Sequence, residues 1–307
     1  MYRNYSDEEK QQLSKVSDLI SKFTKTGIEM LTNSMNSKEI LKTDLASFLL
    51  FRQALEMGDA LSIIIQVGCI NASKPLVRTL LECYFQLAYL FNSDEERKSL
   101  QFLYHYEKRK KEYYKRLAFP EKGGSFFEKL KKDKYLNGDD ISDDQKRIYA
   151  ENVKKIDIVL NEEGNKLIAE EYTRVEKKKQ NLKSGKSGKV SYWYELFDGP
   201  TSIEGISVQL NEAALYQFIY RNCSSYAHAE DIVHTNLEPF DEVSFKISPL
   251  RDLRQLLIVG NDILILIEHS IMLFLKNKVN DKKLYAEMLF PILQEKKKYT
   301  ERLNAKQ

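Results

Sequence analysis

The stretch that decides the fold is residues 256–275, LLIVGNDILILIEHSIMLFL. It is long enough to cross a membrane, but Asn261, Asp262, Glu268 and His269 interrupt it, and charged groups are costly inside a bilayer. A helix buried among other helices explains this pattern better. Because the stretch is apolar on more than one side, it predicts several neighbouring helices and a homodimer in which a second copy covers the remaining side. The alternative is that a charged insertion, residues 119–189, covers this side within one chain.

Apolar residues recur at helical spacing elsewhere, and glycine (12) and proline (6) are scarce among the 307 residues. These features predict an all-α protein, a multi-helix bundle with a charged, partly helical insertion. Helices predicted at 38–67, 74–92, 211–229 and 250–277 form one core. The residues whose periodicity supports this grouping are Leu55, Ile64, Leu80, Phe85, Leu215, Leu257 and Leu264.

Composition divides the chain into three parts. Residues 1–36 are predicted to form an N-terminal helix, and residues 37–118 and 190–298 the helical core domain. Residues 119–189 are rich in charges, glycine and asparagine, and are predicted to be an insertion or cap. Within the core domain, two segments are predicted not to be helical. The sequence predicts a turn at Asn71–Ser73 and an extended segment at Pro239–Pro249.

Composition also limits the cofactors and the location. A net charge of +3 neither requires nor excludes an anionic partner. Cys69, Cys83 and Cys223 are too few and too scattered for a disulfide framework or a zinc site, so they are predicted to be buried thiols, and no cofactor is expected. The first residues contain no apolar signal segment, which predicts a cytoplasmic protein without membrane association.

The stretch YRNCSSYAH at 220–228 concentrates polar side chains in a segment patterned as a buried helix. Arg221 and His228 are seven positions apart and are expected on the same helix face. Histidine moves protons near neutral pH, and arginine holds a phosphate through paired donors. We therefore predict Arg221 and His228 to be the catalytic residues of metal-free RNA cleavage. The neighbouring side chains predicted to support them are Tyr220, Asn222, Ser224 and Ser225.

Two arginine–glutamate pairs at i, i+4 spacing precede this stretch, Arg52/Glu56 and Arg78/Glu82. Such pairs are usually local ion pairs on a helix surface. The residues around Arg78 and Glu82 are apolar, which predicts partial burial of this second pair and a supporting role at the site. A core ion pair that sets helix packing is the alternative. The whole polar cluster has the same alternative, a hydrogen-bonded lock between helices.

Two basic stretches are candidates for binding nucleic acid. The first contains tyrosines between its cations, which could stack on bases while the cations bind phosphates. A solvated, lysine-rich helix face is the alternative. The residues concerned are Lys108, Arg109, Lys110 and Lys111 in the first stretch and Lys177, Lys178 and Lys179 in the second.

Four features in combination resemble the bacterial domain-of-unknown-function family 5677. They are a helix ending near Gly68, the stretch Leu76-Val-Arg-Thr-Leu-Leu-Glu82, Trp193, and the spacing Tyr220-x3-Ser224-x3-His228. The resemblance covers roughly residues 45–105 and 190–275. It implies a helical fold but no established activity.

Arg221-Asn222-x5-His228 also resembles the short Arg-polar-His motif of HEPN ribonucleases. This resemblance implies a helical bundle that dimerises so that two motifs meet, and a toxin or anti-phage defence role. The sequence thus predicts a HEPN-like, metal-independent endoribonuclease acting on RNA. The alternative is a non-catalytic helical module that binds a partner protein or nucleic acid, and a third option is an unrelated hydrolase or transferase with an apolar pocket.

Overall fold

The computed structural model shows an all-α multi-helix bundle, as the sequence predicts. The structure divides into two compact units, Met1–Glu95 with Ile203–Gln307, and Glu96–Ser202. The residues that it describes are 4–37, 40–119, 128–129, 132, 135, 142–181, 188–227, 237–239, 244–248, 250–279 and 282–304.

The first unit is built from helices with a two-stranded antiparallel sheet, in which Leu237 lies opposite Ile247. The extended segment predicted at Pro239–Pro249 contains the second strand, Phe245–Ile247, but shares only Pro239 with the first strand, Leu237–Pro239. The elements of the first unit, numbered along the whole chain, are α1 (Asp7–Ser37), α2 (Leu45–Gln66), α3 (Ile70–Asn92), α7 (Ile203–Gln209), α8 (Ala213–Leu215), a π-turn (Tyr216–Tyr220), α9 (Arg221–Ala227), β1 (Leu237–Pro239), β2 (Phe245–Ile247), α10 (Leu256–Phe274), a π-turn (Leu275–Val279), α11 (Lys282–Leu284), a π-turn (Tyr285–Leu289) and α12 (Phe290–Asn304).

The core of this unit forms around α10, which packs on α1, α2 and α3. Phe274 of α10 stacks on Phe51 of α2, with ring centroids 4.0 Å apart, and meets Phe48 edge-on at 5.4 Å. Gly260 lets α10 approach α1 closely, because a Cβ atom there would lie 2.8 Å from Val16. Leu256–Val279 is also long and apolar enough to cross a membrane. Length and composition alone do not distinguish such a span from a buried core helix.

Two helices of this unit begin later than predicted: α2 begins at Leu45 instead of 38, after a turn at 42–44, and α10 begins at Leu256 instead of 250. Helix α2 ends at Gln66, and Gly68 takes the left-handed φ of +76° that terminates it. The predicted turn at Asn71–Ser73 is wrong, because α3 already begins at Ile70 and includes it. The hydroxyl of Ser73 donates to the carbonyl of Ile70 inside this first turn, so the serine does not cap the helix.

The second unit covers Glu96–Ser202, which is wider than the insertion predicted at 119–189. It includes most of α4, because Tyr104 of this helix belongs to the same apolar core as Ile156, Tyr172 and Leu196. Its elements are α4 (Glu95–Ala118), α5 (Asp143–Leu160), a 3₁₀ turn (Glu163–Asn165), α6 (Lys166–Asn181) and a second 3₁₀ segment (Trp193–Asp198).

Candidate functional site

A π-turn interrupts the helix that carries the polar stretch 220–228. The backbone N–H of Arg221 donates to the carbonyl of Tyr216, five residues earlier, and α9 begins there. A π-turn holds more residues than an α-turn, so the prediction of one regular helix over 211–229 is wrong at this point. Turns of this kind are rare and occur often at functional sites.

Arg78 of α3 forms three side-chain hydrogen bonds, of which two, to Tyr220 and Ser224, anchor this helix and the third is to Glu82 of α3 itself. Its guanidinium donates to Glu82 (3.0 Å), to the Tyr220 hydroxyl (2.8 Å) and to the Ser224 hydroxyl (3.2 Å). Tyr220 and Ser224, four positions apart, thus bind the same cation. The Arg78 side chain is 22 % exposed, so the pair with Glu82 is partly buried. The predicted supporting residues Tyr220, Ser224, Arg78 and Glu82 therefore form one cluster.

The surroundings in this cluster favour a charged Arg78 and a neutral Tyr220. Burial works against the charge of Arg78, but hydrogen bonds with Glu82 and Tyr220 outweigh burial and raise its pKa. Burial, together with the nearby Glu82 carboxylate, raises the pKa of Tyr220 to about 12. Tyr220 is therefore a neutral hydroxyl at pH 7, able to accept a hydrogen bond from Arg78 but not to act as a base.

Arg221 is placed differently from Tyr220 and Ser224. Its side chain is 63 % exposed and comes no closer than 3.9 Å to the carboxylate of Glu204. Asn222 is also exposed, while the Ser225 hydroxyl bonds only to the Asn222 carbonyl within the same turn. The structure thus leaves a guanidinium open to solvent one residue beyond the anchored Tyr220.

His228, the other predicted catalytic residue, lies outside the residues that the structure describes. Whether Arg221 and His228 share a face stays a prediction. In the described part of the chain, no group of three histidine, cysteine, aspartate or glutamate side chains could hold a metal ion.

Beside this cluster lies a buried lysine that sequence reasoning missed. Lys74 of α3 is fully buried, and its ammonium sits 3.7 Å from the ring centroid of Tyr226 in a cation–π contact. No described residue accepts a hydrogen bond from it. Its position in the first turn of α3, between serine and proline, gives no sign of burial. Its burial follows from the packing of distant segments, among them α9, on α3.

Asp262 of α10 and Cys223 of α9 belong to the same buried region. Burial raises the pKa of Asp262 to about 6, although the nearby Lys74 opposes this in part. Burial, with a contribution from Asp262, raises the pKa of the Cys223 thiol to about 12. Cys223 and Cys83 are buried free thiols, as predicted, whereas Cys69 is only partly buried. The high pKa of Cys223 argues against its being a nucleophile.

Replacing Asp262 with asparagine is expected to remove a pH-dependent loss of stability. The folded protein holds the Asp262 proton more tightly than the unfolded chain, so its free energy of unfolding should fall as pH rises from about 4 to about 6. The asparagine variant should lack this contribution, gaining about 1–3 kcal/mol on the wild type between those pH values. Urea unfolding of both proteins at several pH values measures this difference in the free energy of unfolding. If the free energies of the two proteins change in parallel with pH, the prediction is wrong.

The structure places the residues of the two basic stretches in different surroundings. In the first, Lys108 and Arg109 line a cleft in the second unit, whereas Lys111 forms an ion pair with Asp157 and Lys110 lies 4.0 Å from Glu107. In the second stretch, two of the three lysines pair with carboxylates. Lys178 lies 3.6 Å from Asp198, and Lys179 pairs with the buried Glu195. Lys177 is exposed and has no ion pair within the described residues.

The fold and the cluster define an all-α protein in which an arginine from one helix anchors a second, π-interrupted helix. The chain matches the family of unknown function DUF5677 over residues 44–238 and belongs to that family. The match runs through the charged middle of the chain, which the resemblance noted from the sequence left out, and it ends at 238 instead of 275. No curated protein and no solved structure was found to be similar to the chain.

Proposed function

We propose that the protein is a metal-independent endoribonuclease in which Arg221 binds the scissile phosphate and His228 moves the proton. The observation that carries the proposal is the contrast between neighbours on one helix. The Tyr220 hydroxyl accepts a hydrogen bond from Arg78. The Arg221 side chain, by contrast, is exposed and approaches the Glu204 carboxylate no closer than 3.9 Å. An anchored helix with a solvent-exposed guanidinium is suited to holding a phosphate in a fixed place.

The reaction needs only groups of the chain and of RNA, together with water. The ribose 2′-oxygen forms a bond to the adjacent phosphorus, and the bond from phosphorus to the 5′-oxygen breaks. His228 takes the proton of the 2′-hydroxyl, and water protonates the leaving 5′-oxygen. Arg221 stabilises the charge that develops on the phosphate. Phe218, whose ring is 77 % exposed three residues earlier, could stack on a base.

A role as a toxin or an anti-phage effector belongs to this proposal and rests on the resemblance to HEPN ribonucleases, as does a homodimer with two such motifs. If only a species of ~36 kDa, the mass of one chain, sediments at micromolar concentration, the dimer is excluded. The cytoplasmic location stays a prediction from the sequence.

Incubating the purified chain with labelled RNA, with and without a chelator, tests the activity. Cleavage that continues in the chelator, leaving 2′,3′-cyclic phosphate ends, is the expected result. Products that disappear with the chelator would contradict a metal-independent reaction.

The competing function is a non-catalytic helical module that binds a protein or nucleic acid. The closed network of Arg78, Glu82, Tyr220 and Ser224 favours it, because these side chains satisfy one another without a ligand. Tight RNA binding without cleavage would support this function and contradict the ribonuclease.

A further inference from the structure

A cleft of about 590 Å³ opens within the second unit, between α4, α6 and the segment 189–191. This volume lies in the range of small-molecule sites. One face of α4 supplies half of its lining, because the contributing positions follow helical spacing. The α4 residues are Lys108, Arg109, Glu112, Tyr113 and Arg116.

The charge of the cleft suits an anion. Glu112 is paired with Lys189 across the cleft at 3.2 Å, and this lysine helps to keep the pKa of Glu112 low despite partial burial. That pair is neutral overall, and the other charged side chains of the lining, among the residues that the structure describes, are Lys108, Arg109, Arg116 and Glu176. Arg109 is exposed and forms no ion pair with any described residue.

Aromatic rings lie beside these cations. Tyr113 is 56 % exposed, which leaves its ring open to a planar ligand. Tyr172 forms part of the cleft lining, and the Lys108 ammonium lies 5.2 Å from the centroid of its ring. The Tyr172 hydroxyl is held at 3.0 Å from Nδ1 of the buried His105, which fixes the ring in place.

We propose that this cleft binds a nucleotide, with its phosphate on Lys108 and Arg109 and its base against Tyr113. A phosphate needs several cations in a small space, and a base needs an open aromatic ring. Glu176 can accept a hydrogen bond from a base amino group or a ribose hydroxyl. A purely electrostatic anion site would not need the exposed ring, and an apolar-ligand site would not need these cations.

The same chemistry can come from a free nucleotide or from the phosphorylated end of a nucleic acid strand. The inference does not rest on the ribonuclease proposal, since no residue of the cleft belongs to the cluster around Arg78.

Calorimetric titration of the full chain tests the proposal. The probes are the four nucleoside 5′-monophosphates, the matching nucleosides, inorganic phosphate, and 2′-O-methyl hexamers with a 5′-phosphate or a 5′-hydroxyl. The methyl groups remove the nucleophile of the proposed cleavage, so binding is read without it. We expect at least one monophosphate to bind more than about tenfold more tightly than its nucleoside or inorganic phosphate.

A strand end is the source if the 5′-phosphorylated hexamer binds more tightly than the monophosphate and the 5′-hydroxyl hexamer does not. If neither hexamer binds more tightly than the monophosphate, the source is a free nucleotide. Both results support the site.

Variants assign the binding to the cleft. Arg109→Gln and Tyr113→Ala should each weaken monophosphate binding by about tenfold or more. Lys155→Gln is the control, because Lys155 is an exposed lysine of α5 that does not line the cleft. Circular dichroism checks that every variant keeps its thermal transition. The proposal is overturned if no monophosphate binds, if nucleosides or inorganic phosphate bind equally well, or if Lys155→Gln weakens binding as much as Arg109→Gln.

Discussion

Replacing His228 with alanine is expected to lower the rate constant for RNA cleavage by about 10²–10⁴-fold, the usual contribution of a general acid or base. The thermal transition should hardly change if the role of His228 is catalytic. Single-turnover cleavage of labelled RNA measures the rate constant, and circular dichroism measures the transition. A histidine that only locks the helices would instead lower the stability by about 1–3 kcal/mol.

Arg221→Lys extends this prediction to the phosphate-binding residue. Lysine keeps the charge but loses the planar pair of donors, so we expect a loss of about tenfold or more in the same rate constant. Arg147→Lys is the matched control, because Arg147 is an exposed arginine of the second unit. A His228→Ala protein that folds stably and cleaves RNA at the wild-type rate would refute the catalytic assignment.

Removing the anchor, Arg78→Ala, is expected to lower the free energy of unfolding by about 2–4 kcal/mol. The change leaves Glu82, Tyr220 and Ser224 without the donor that they share, in a partly buried place. Under the ribonuclease proposal, the rate of cleavage should fall as well, because the helix that carries Arg221 loses its hold on α3. Urea unfolding and the RNA assay measure the two effects.

The chain contains a matched control for Arg78. Arg52 and Glu56 form the same i, i+4 pair at 2.9 Å, but on an exposed face of α2. Arg52→Ala should therefore change the stability by no more than about 0.5 kcal/mol. Equal losses in the two variants would show that burial and the bonds to Tyr220 and Ser224 add nothing to the Arg78 pair.

Much of the fold could be read from the sequence, because local signals and burial agree. The apolar residues of 256–275 predict a core helix, and α10 packs on three helices there. Gly68, where the sequence predicts that a helix ends, supplies the positive φ that ends α2. The π-turn at Tyr216–Tyr220 could not be read, since each of its residues is compatible with an ordinary helix.

The site was predictable only in part, since its geometry depends on contacts between distant segments. Spacing alone placed Tyr220 and Ser224 on one stripe, but that both bind Arg78 depends on how α9 packs on α3. The burial of Lys74 comes from the same packing. Likewise, Arg109 and Lys189 are 80 positions apart in sequence, and only the fold brings them to one cleft.

The first unit combines helices made at very different times during synthesis. Helix α10 covers α1, α2 and α3, yet about 160 residues separate Asn92, at the end of α3, from Leu256. A ribosome that adds about 5–20 residues per second needs about 8–32 s to cross that distance. Throughout this interval the apolar surface of the three early helices has left the ribosome without its cover. The nascent chain therefore depends on chaperones, or on contacts among those three helices, until α10 emerges.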